Sequence, residues 1–269
     1  MTSVVAWCGV DSRGPASIYI AADSRVTQGR SVISDGTRKT FAAARCANVF
    51  AYCGHVLGPA STLASVSESI ERMTPADDVG TAQAQFRDAV EAGWQLHRPV
   101  SVETVLIHAV RCGGPATMDM EFGLQVVRIP ANTKELEHQV VSVPTDRSSS
   151  LVILGSGEHA VKQNLARWIP ATKDDSRDRT SRAVFSGFCD TVASAADWRT
   201  GGAPQLVGLR RNGHAITFGV VWDGQPYVSG SPDISPNEKA EFFDRHLQRV
   251  DRRGVLLPGA QRHAGRPIE

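Results

Sequence analysis

The period of the apolar pattern changes five times along the chain, and the order of those changes limits the fold more than any single motif does. β-rich apolar stretches come first, at Ser3 to Val10, Ile18 to Ala22 and Ser31 to Ile33, with Gly14 and Pro15 marking a turn between Asp11 and Ala16. Thr40 to Phe50 reads as a further strand pair with a turn near Ala47–Asn48, so the opening reads as one β-meander. Pro59 to Met73 then sets Leu63, Val66 and Ile70 at helical spacing, and Thr81 to His97 does the same with Phe86, Val90 and Trp94. The segment Thr74–Pro75–Ala76–Asp77–Asp78 between them suits a turn and a helix start. Strand pattern returns at Val102 to Arg111, Phe122 to Ile129, His138 to Val143 and Leu151 to Leu154, joined by loops at Cys112 to Glu121 and Pro130 to Glu137. Glu158 to Trp168 and Ser181 to Asp197 are helical, separated by a charged linker at Pro170 to Arg179. Gln205 to Arg211 and Ala215 to Trp222 form a hairpin around Asn212–Gly213. After Pro236, the residues Phe242, Phe243, Leu247 and Val250 read as one amphipathic helix, followed by a mobile Arg/Gly/Pro tail.

A doubly wound parallel sheet needs strand and helix to alternate one by one, so this order excludes it. Two antiparallel sheets stacked face to face, each covered outside by a helix pair, fit best. The expected fold is α+β, a four-layer αββα sandwich, with one domain over 1–230 and a C-terminal helix and tail over 231–269.

Composition narrows the functional classes. The 29 Lys and Arg balance 28 Asp and Glu, for a formal charge of +1, which gives no electrostatic reason to expect nucleic acid or a membrane surface as a partner. No run approaches the roughly 20 apolar residues of a spanning helix. The first residues lack the positive n-region of a signal peptide, and the five cysteines include no CxxC pair, so reduced thiols and a cytoplasmic location are expected. The eight histidines show no HExxH or paired spacing, so neither a metal nor a cofactor is expected.

Four segments carry chemistry. Thr2 follows the initiator Met1, and removal of Met1 would leave a residue holding both a hydroxyl nucleophile and an α-amine of pKa near ~8. Ala21–Ala22–Asp23–Ser24–Arg25–Val26–Thr27–Gln28–Gly29 is followed by Lys39, sixteen residues after Asp23. A lysine, unlike arginine, can shift its pKa and tune a neighbouring group; the plainer reading of Asp23 and Lys39 is a surface ion pair. Asp197–Trp198–Arg199–Thr200–Gly201–Gly202 ends a helix, where the glycines also suit a plain helix stop. Gly155–Ser156–Gly157 follows an apolar strand and opens a helix; its GxGxxA pattern mimics a dinucleotide fingerprint, but the βαβ unit that fingerprint requires is missing.

These segments resemble proteasome β-subunits, and within that family the bacterial proteasome-like peptidases of the N-terminal-nucleophile hydrolases. The resemblance spans roughly Thr2 to Trp222 and is strongest up to Lys39 and at Asp197 to Gly202. It implies Thr2 as nucleophile, Asp23 and Lys39 as its charge partners, and Ser156, Asp197 and Thr200 around its amine. Phe50–Ala51–Tyr52–Cys53–Gly54–His55 resembles the strand end whose glycine amide forms the oxyanion hole, which assigns that role to Gly54. Gly54 falls one residue later than usual from the lysine, and His55 replaces the family's second glycine. Tyr52 is then expected at the floor of the substrate pocket, with Thr27 as a second substrate contact. The implied activity is threonine-type endopeptidase, acting on a peptide or unfolded protein, in a homo-oligomer that works with an ATP-dependent unfoldase. An amidase for a small amide and a catalytically silent scaffold subunit are the alternatives. No GxSxG elbow is present, and Cys8 and Cys53 read as core thiols.

Overall fold

The computed structural model describes residues 2–113, 120–168, 181–194, 196–235 and 240–260. In chain order the elements are β1 (Ser3–Asp11), β2 (Gly14–Ala22), β3 (Val26–Gln28), β4 (Ser31–Ser34), β5 (Thr40–Ala43), β6 (Asn48–Cys53), α1 (Leu57–Arg72) and α2 (Val79–Trp94). They continue with β7 (Thr104–Cys112), β8 (Glu121–Ile129), β9 (Glu137–Val141), β10 (Ser149–Gly155), α3 (Glu158–Trp168), α4 (Ser181–Ser194), β11 (Gln205–Arg210) and β12 (Ile216–Trp222). The last are β13 (Gln225–Val228), β14 (Ser231–Pro232), β15 (Phe242–Phe243) and β16 (Arg249–Val250).

The strands form two large sheets. One runs β10-β1-β2-β11-β12-β13-β14, and the other runs β5-β6-β7-β8-β9. Period-two alternation decides what each strand face meets. In β1, Val4 and Ala6 turn toward β6, β7 and β8 of the opposite sheet, joining Ala51, Ile107 and Leu124 in a shared core. Val5 and Trp7 turn the other way, onto Val161, Phe185 and Phe188 of α3 and α4. The second sheet does the same: Phe50, Tyr52 and Leu106 pack under Leu63, Phe86 and Trp94 of α1 and α2. These central strands are therefore packed on one face by strands of the other sheet and on the other face by one helix pair. The predicted helix start before the second window is borne out in detail, because Asp78 caps α2 by accepting the Thr81 N–H at 2.8 Å.

Three expectations need correction. The first fifty residues are not one meander: β1–β2 belongs to one sheet, β5–β6 to the other, and β3–β4 is a separate two-stranded ribbon between them. Second, no helix follows residue 240 among the described residues. Phe242–Phe243 instead pairs in parallel with β12, and β16 pairs back onto it. The two aromatic neighbours are both buried because they point opposite ways, as strand residues do. The Phe242 ring lies over Gly219, and Phe243 joins the core under α4. Third, α4 ends at Ser194, short of Asp197. The linker at 170–179, the segments 114–119 and 236–239, and the tail at 261–269 lie outside the described residues. Among the described residues no helix is long and apolar enough to cross a membrane.

Candidate active site

The site assembles where the two sheets meet at one end. Asp23 is the residue after β2, and Lys39 the residue before β5, so one belongs to each sheet. Lys39 Nζ donates to Asp23 Oδ1 at 2.8 Å, and both side chains are fully buried. The surface ion pair reading is thereby replaced. Lys39 Nζ also donates to the Arg25 carbonyl at 2.5 Å. Asp23 is saturated by further donors: the Ser3 N–H on the same Oδ1 at 3.0 Å, and on Oδ2 the N–H groups of Gly201 at 3.1 Å and Arg25 at 3.2 Å. Burial lowers the Lys39 pKa, and the Asp23 charge partly opposes that shift. A buried ion pair gains little net stability over an apolar pair, so its retention points toward chemistry more than toward folding.

Thr2 stands one residue before β1, tethered by its carbonyl, which accepts the Ser156 N–H at 3.1 Å. Its Oγ1 is buried and has no hydrogen-bond partner among the described residues, and the same holds for Ser156 Oγ. Both residues line one cavity of about 350 Å³, together with Cys53, Gly54, Glu103 and Arg128. Gly155 makes the approach possible. Its φ is +97°, and a Cβ there would lie 1.6 Å from the Thr2 carbonyl oxygen. Gly54 is likewise confined, since a Cβ would meet the Glu103 carbonyl at 2.1 Å.

The Asp197 to Gly202 turn closes the site from the side of β11. Thr200 Oγ1 donates to Asp197 Oδ2 at 3.1 Å and lies 2.6 Å from Ser3 Oγ. Asp197 thus reaches β1 through two hydroxyls. Gly201 leaves room for Arg25, whose guanidinium would sit 2.4 Å from a Cβ at that position. Arg25 forks onto Asp35 at 2.7 and 3.0 Å and donates to the Trp198 carbonyl at 3.0 Å, pinning the turn to the Asp23 loop.

With this arrangement in view, solved structures of similar shape can be compared. The Gly-1 mutant of Anbu from Hyphomicrobium sp. strain MC1 superposes with a TM-score of 0.54 at 16% identity, covering 87% of this chain and 89% of that one. Anbu from the same organism gives 0.52 at 14% identity, covering 86% and 89%. The chain has a proteasome-like fold. HslV from Trypanosoma brucei gives a TM-score of 0.43 at 15% identity, covering 77% of this chain and 99% of that one. No protein family model matches the sequence, and no curated protein matches it.

Within this fold the structure brings together Thr2, Gly54 and Ser156 around the cavity, and joins Asp23, Lys39, Asp197 and Thr200 to them through Ser3 and Gly201. Tyr52 and Thr27 are placed elsewhere. The Tyr52 ring faces α1 and α2, and its hydroxyl donates to the Arg38 carbonyl at 3.2 Å. It therefore lies away from the cavity, because β6 alternates and Cys53, not Tyr52, turns toward Thr2. Thr27 lies on β3 in the two-stranded ribbon and does not line the cavity either. Burial pushes the Cys53 thiol up to about 12, which leaves it protonated at neutral pH. Among the described residues no three His, Cys, Asp or Glu side chains are grouped to hold a metal.

Two participants escaped the sequence reading of roles. Ser3 was read only as the start of a strand, yet its N–H and hydroxyl connect Asp23 to Thr200. Gln205 was read as the first residue of a hairpin strand, yet its buried amide contacts both loops of the ion pair. A polar amide at the head of the apolar run Gln205–Leu206–Val207–Gly208–Leu209 was the only local signal.

Proposed function

We propose that the chain is a threonine-type endopeptidase, an N-terminal-nucleophile hydrolase whose nucleophile is Thr2 once Met1 is removed. The observation that carries this reading is the Thr2 hydroxyl, buried, without a hydrogen-bond partner among the described residues, and on the wall of a cavity beside Gly54. An unpartnered buried hydroxyl is costly, and such groups concentrate where chemistry uses them. Met1 itself lies outside the described residues.

In the proposed reaction the Thr2 α-amine takes the proton of Thr2 Oγ1, directly or through water, as the oxygen attacks the scissile carbonyl carbon. The C–N bond then breaks, the amine product leaves with that proton, and water hydrolyses the acyl ester to restore Thr2. The Lys39 ammonium favours loss of the nearby proton by charge proximity. The Gly54 N–H is the proposed oxyanion donor, a group whose loss typically costs ~10²–10³ in rate. Ser156, Asp197 and Thr200 hold the amine. Helix pair, sheet, sheet and helix pair in succession support the four-layer αββα description. A cytoplasmic homo-oligomer working on peptides or unfolded protein with an ATP-dependent unfoldase belongs to the same proposal.

The cavity volume favours one second reading. About 350 Å³ is near the lower end for small-molecule sites, which suits an amidase for a small amide. The test is intact mass after incubation with a peptide epoxyketone, followed by hydrolysis of peptide and small-amide panels. The endopeptidase reading expects one adduct on Thr2 and cleavage of peptides. Retained Met1 in the purified protein, or no adduct, rejects it; turnover of small amides alone selects the amidase.

A further inference from the structure

Asp23 and Lys39 come from different sheets, so their 2.8 Å contact depends on how those sheets are held at this end. Gln205, the first residue of β11, spans the same gap. It is 1% exposed, and its neighbour across the ladder is Ala22, the residue before Asp23. Its Oε1 accepts the N–H of Lys39 at 2.8 Å and that of Thr40 at 3.2 Å, with the Thr40 hydroxyl at 3.3 Å. Its Nε2 donates to the carbonyls of Thr37 at 2.7 Å and Asp23 at 3.2 Å, and to Ser24 Oγ at 3.0 Å.

The orientation of this amide is determined by its neighbours. One end faces two main-chain N–H groups, and the other faces two main-chain carbonyls. A flipped amide would set donors against donors and acceptors against acceptors. No other standard side chain supplies an acceptor and a two-proton donor at this length. Asparagine is one methylene short, and glutamate replaces the donor with a second acceptor.

We propose that Gln205 is a positioning residue for the reactive centre: it fixes the carbonyl of Asp23 and the N–H of Lys39 from one side chain and so sets the Asp23–Lys39 contact. The proposal rests on the peptidase reading, because it assigns that contact a catalytic purpose. Gln205 touches neither Thr2 nor the cavity and acts through the pair alone.

The consequence is a specific pH signature. The titratable groups facing Lys39 are Asp23, in contact, with Asp35 and the Cys53 thiol farther off; the two carboxylates favour the ammonium, while the thiol stays protonated at neutral pH. The Arg25 guanidinium nearby is turned onto Asp35. If the Asp23 contact loosens, the ammonium loses its main support inside a buried site, and its proton leaves at lower pH.

The test is the second-order rate of Thr2 modification by a peptide epoxyketone, read by intact mass from pH 6 to pH 10, in the full chain and two variants. Gln205→Met keeps the length and removes all polar contacts. Gln205→Glu keeps the acceptor for Lys39 and Thr40. Gln205→Met is expected to react at least tenfold more slowly at neutral pH, with the alkaline limb of the profile moved to lower pH, and Gln205→Glu to react faster than Gln205→Met. A folded Gln205→Met whose alkaline limb stays in place overturns the proposal whatever its rate, since a purely architectural role lowers the amount of active protein without moving that limb. Failure of both variants to fold also overturns it. No adduct on the unsubstituted chain rejects the peptidase reading and this proposal together, whereas an adduct there with an unmoved limb in the variant rejects the role of Gln205 alone.

Discussion

Ser3 and Asp23 are joined twice: the Ser3 N–H donates to Asp23 Oδ1 at 3.0 Å, and the Asp23 N–H donates back to the Ser3 carbonyl at 3.1 Å. Asp23 is thereby tied to the residue next to Thr2 by the same carboxylate oxygen that receives the Lys39 ammonium. Position and charge at the proposed nucleophile are coupled through one atom.

Replacing Asp23 by Asn leaves a buried ammonium facing an amide. Breaking a buried pair from one side typically costs about 3–5 kcal/mol, and that loss is expected in urea unfolding of Asp23→Asn. The double variant Asp23→Asn with Lys39→Met removes the orphaned charge and is expected to recover much of the loss. An unfolding midpoint no higher in the double variant than in Asp23→Asn would contradict the assignment of the penalty to Lys39.

Two glycines with positive φ separate backbone preference from crowding. At Gly29, φ is +59° and nothing lies within 4 Å of an added Cβ, so Gly29→Ala should cost only about 1–2 kcal/mol. At Gly155 the same methyl would overlap the Thr2 carbonyl oxygen. Gly155→Ala is expected to lose more than twice as much stability, or to displace Thr2 and abolish its epoxyketone reactivity. Equal thermal midpoints for the two variants, with reactivity intact, would show that Thr2 is not confined there.

Acid should find His108 before it finds the site. The ring is fully buried, with Phe50 and Phe86 centroids at 5.3 and 4.3 Å. Nδ1 accepts from Gln125 Nε2 at 3.0 Å, so Nε2 carries the proton and donates to Asn48 Oδ1 at 2.6 Å. Burial lowers its pKa from 6.5 to about 3. The unfolded chain therefore binds a proton that the folded chain refuses, and stability falls as pH drops from 6.5 toward 3, by roughly 4–5 kcal/mol over the window. His108→Phe should show a shallower loss of stability over that window; an unchanged slope would place the acid sensitivity elsewhere.

The C-terminal segment is part of the core. Phe243 is 5% exposed and meets Phe218 edge-on at a centroid distance of 5.3 Å. Phe243→Ala is expected to lose about 3–5 kcal/mol in urea unfolding, the usual result of emptying an aromatic position. A loss below 1 kcal/mol would show that this strand is only loosely attached.

How much of this was legible follows from the range of each signal. Leu63, Val66 and Ile70, or Phe86, Val90 and Trp94, announce their helices because burial follows the local period, and Asp78 announces its cap. Asp23, Lys39, Gly54 and Ser156 stood out because each is a chemically telling residue in a short recognisable segment. Phe242, Phe243, Leu247 and Val250 misled because helical spacing was imitated by two short strands, and pairing with β12 outweighed the local pattern. That Tyr52 lies off the cavity wall was not legible, because which face of β6 meets the cavity is set by the packing of the sheets, which the segment itself does not encode. Gln205 was obscure for a different reason: four of its six partners are main-chain groups far away in sequence, and main-chain groups leave no mark on composition.

Because Asp23 directly follows a strand of one sheet and Lys39 directly precedes a strand of the other, their contact cannot exist in either half of the molecule alone. Before the two halves have docked, the threonine has no charged neighbour across the gap to sharpen it. On the proposed reading, a newly made chain is thus chemically quiet until its layers close, and the same closure that completes folding is what arms it.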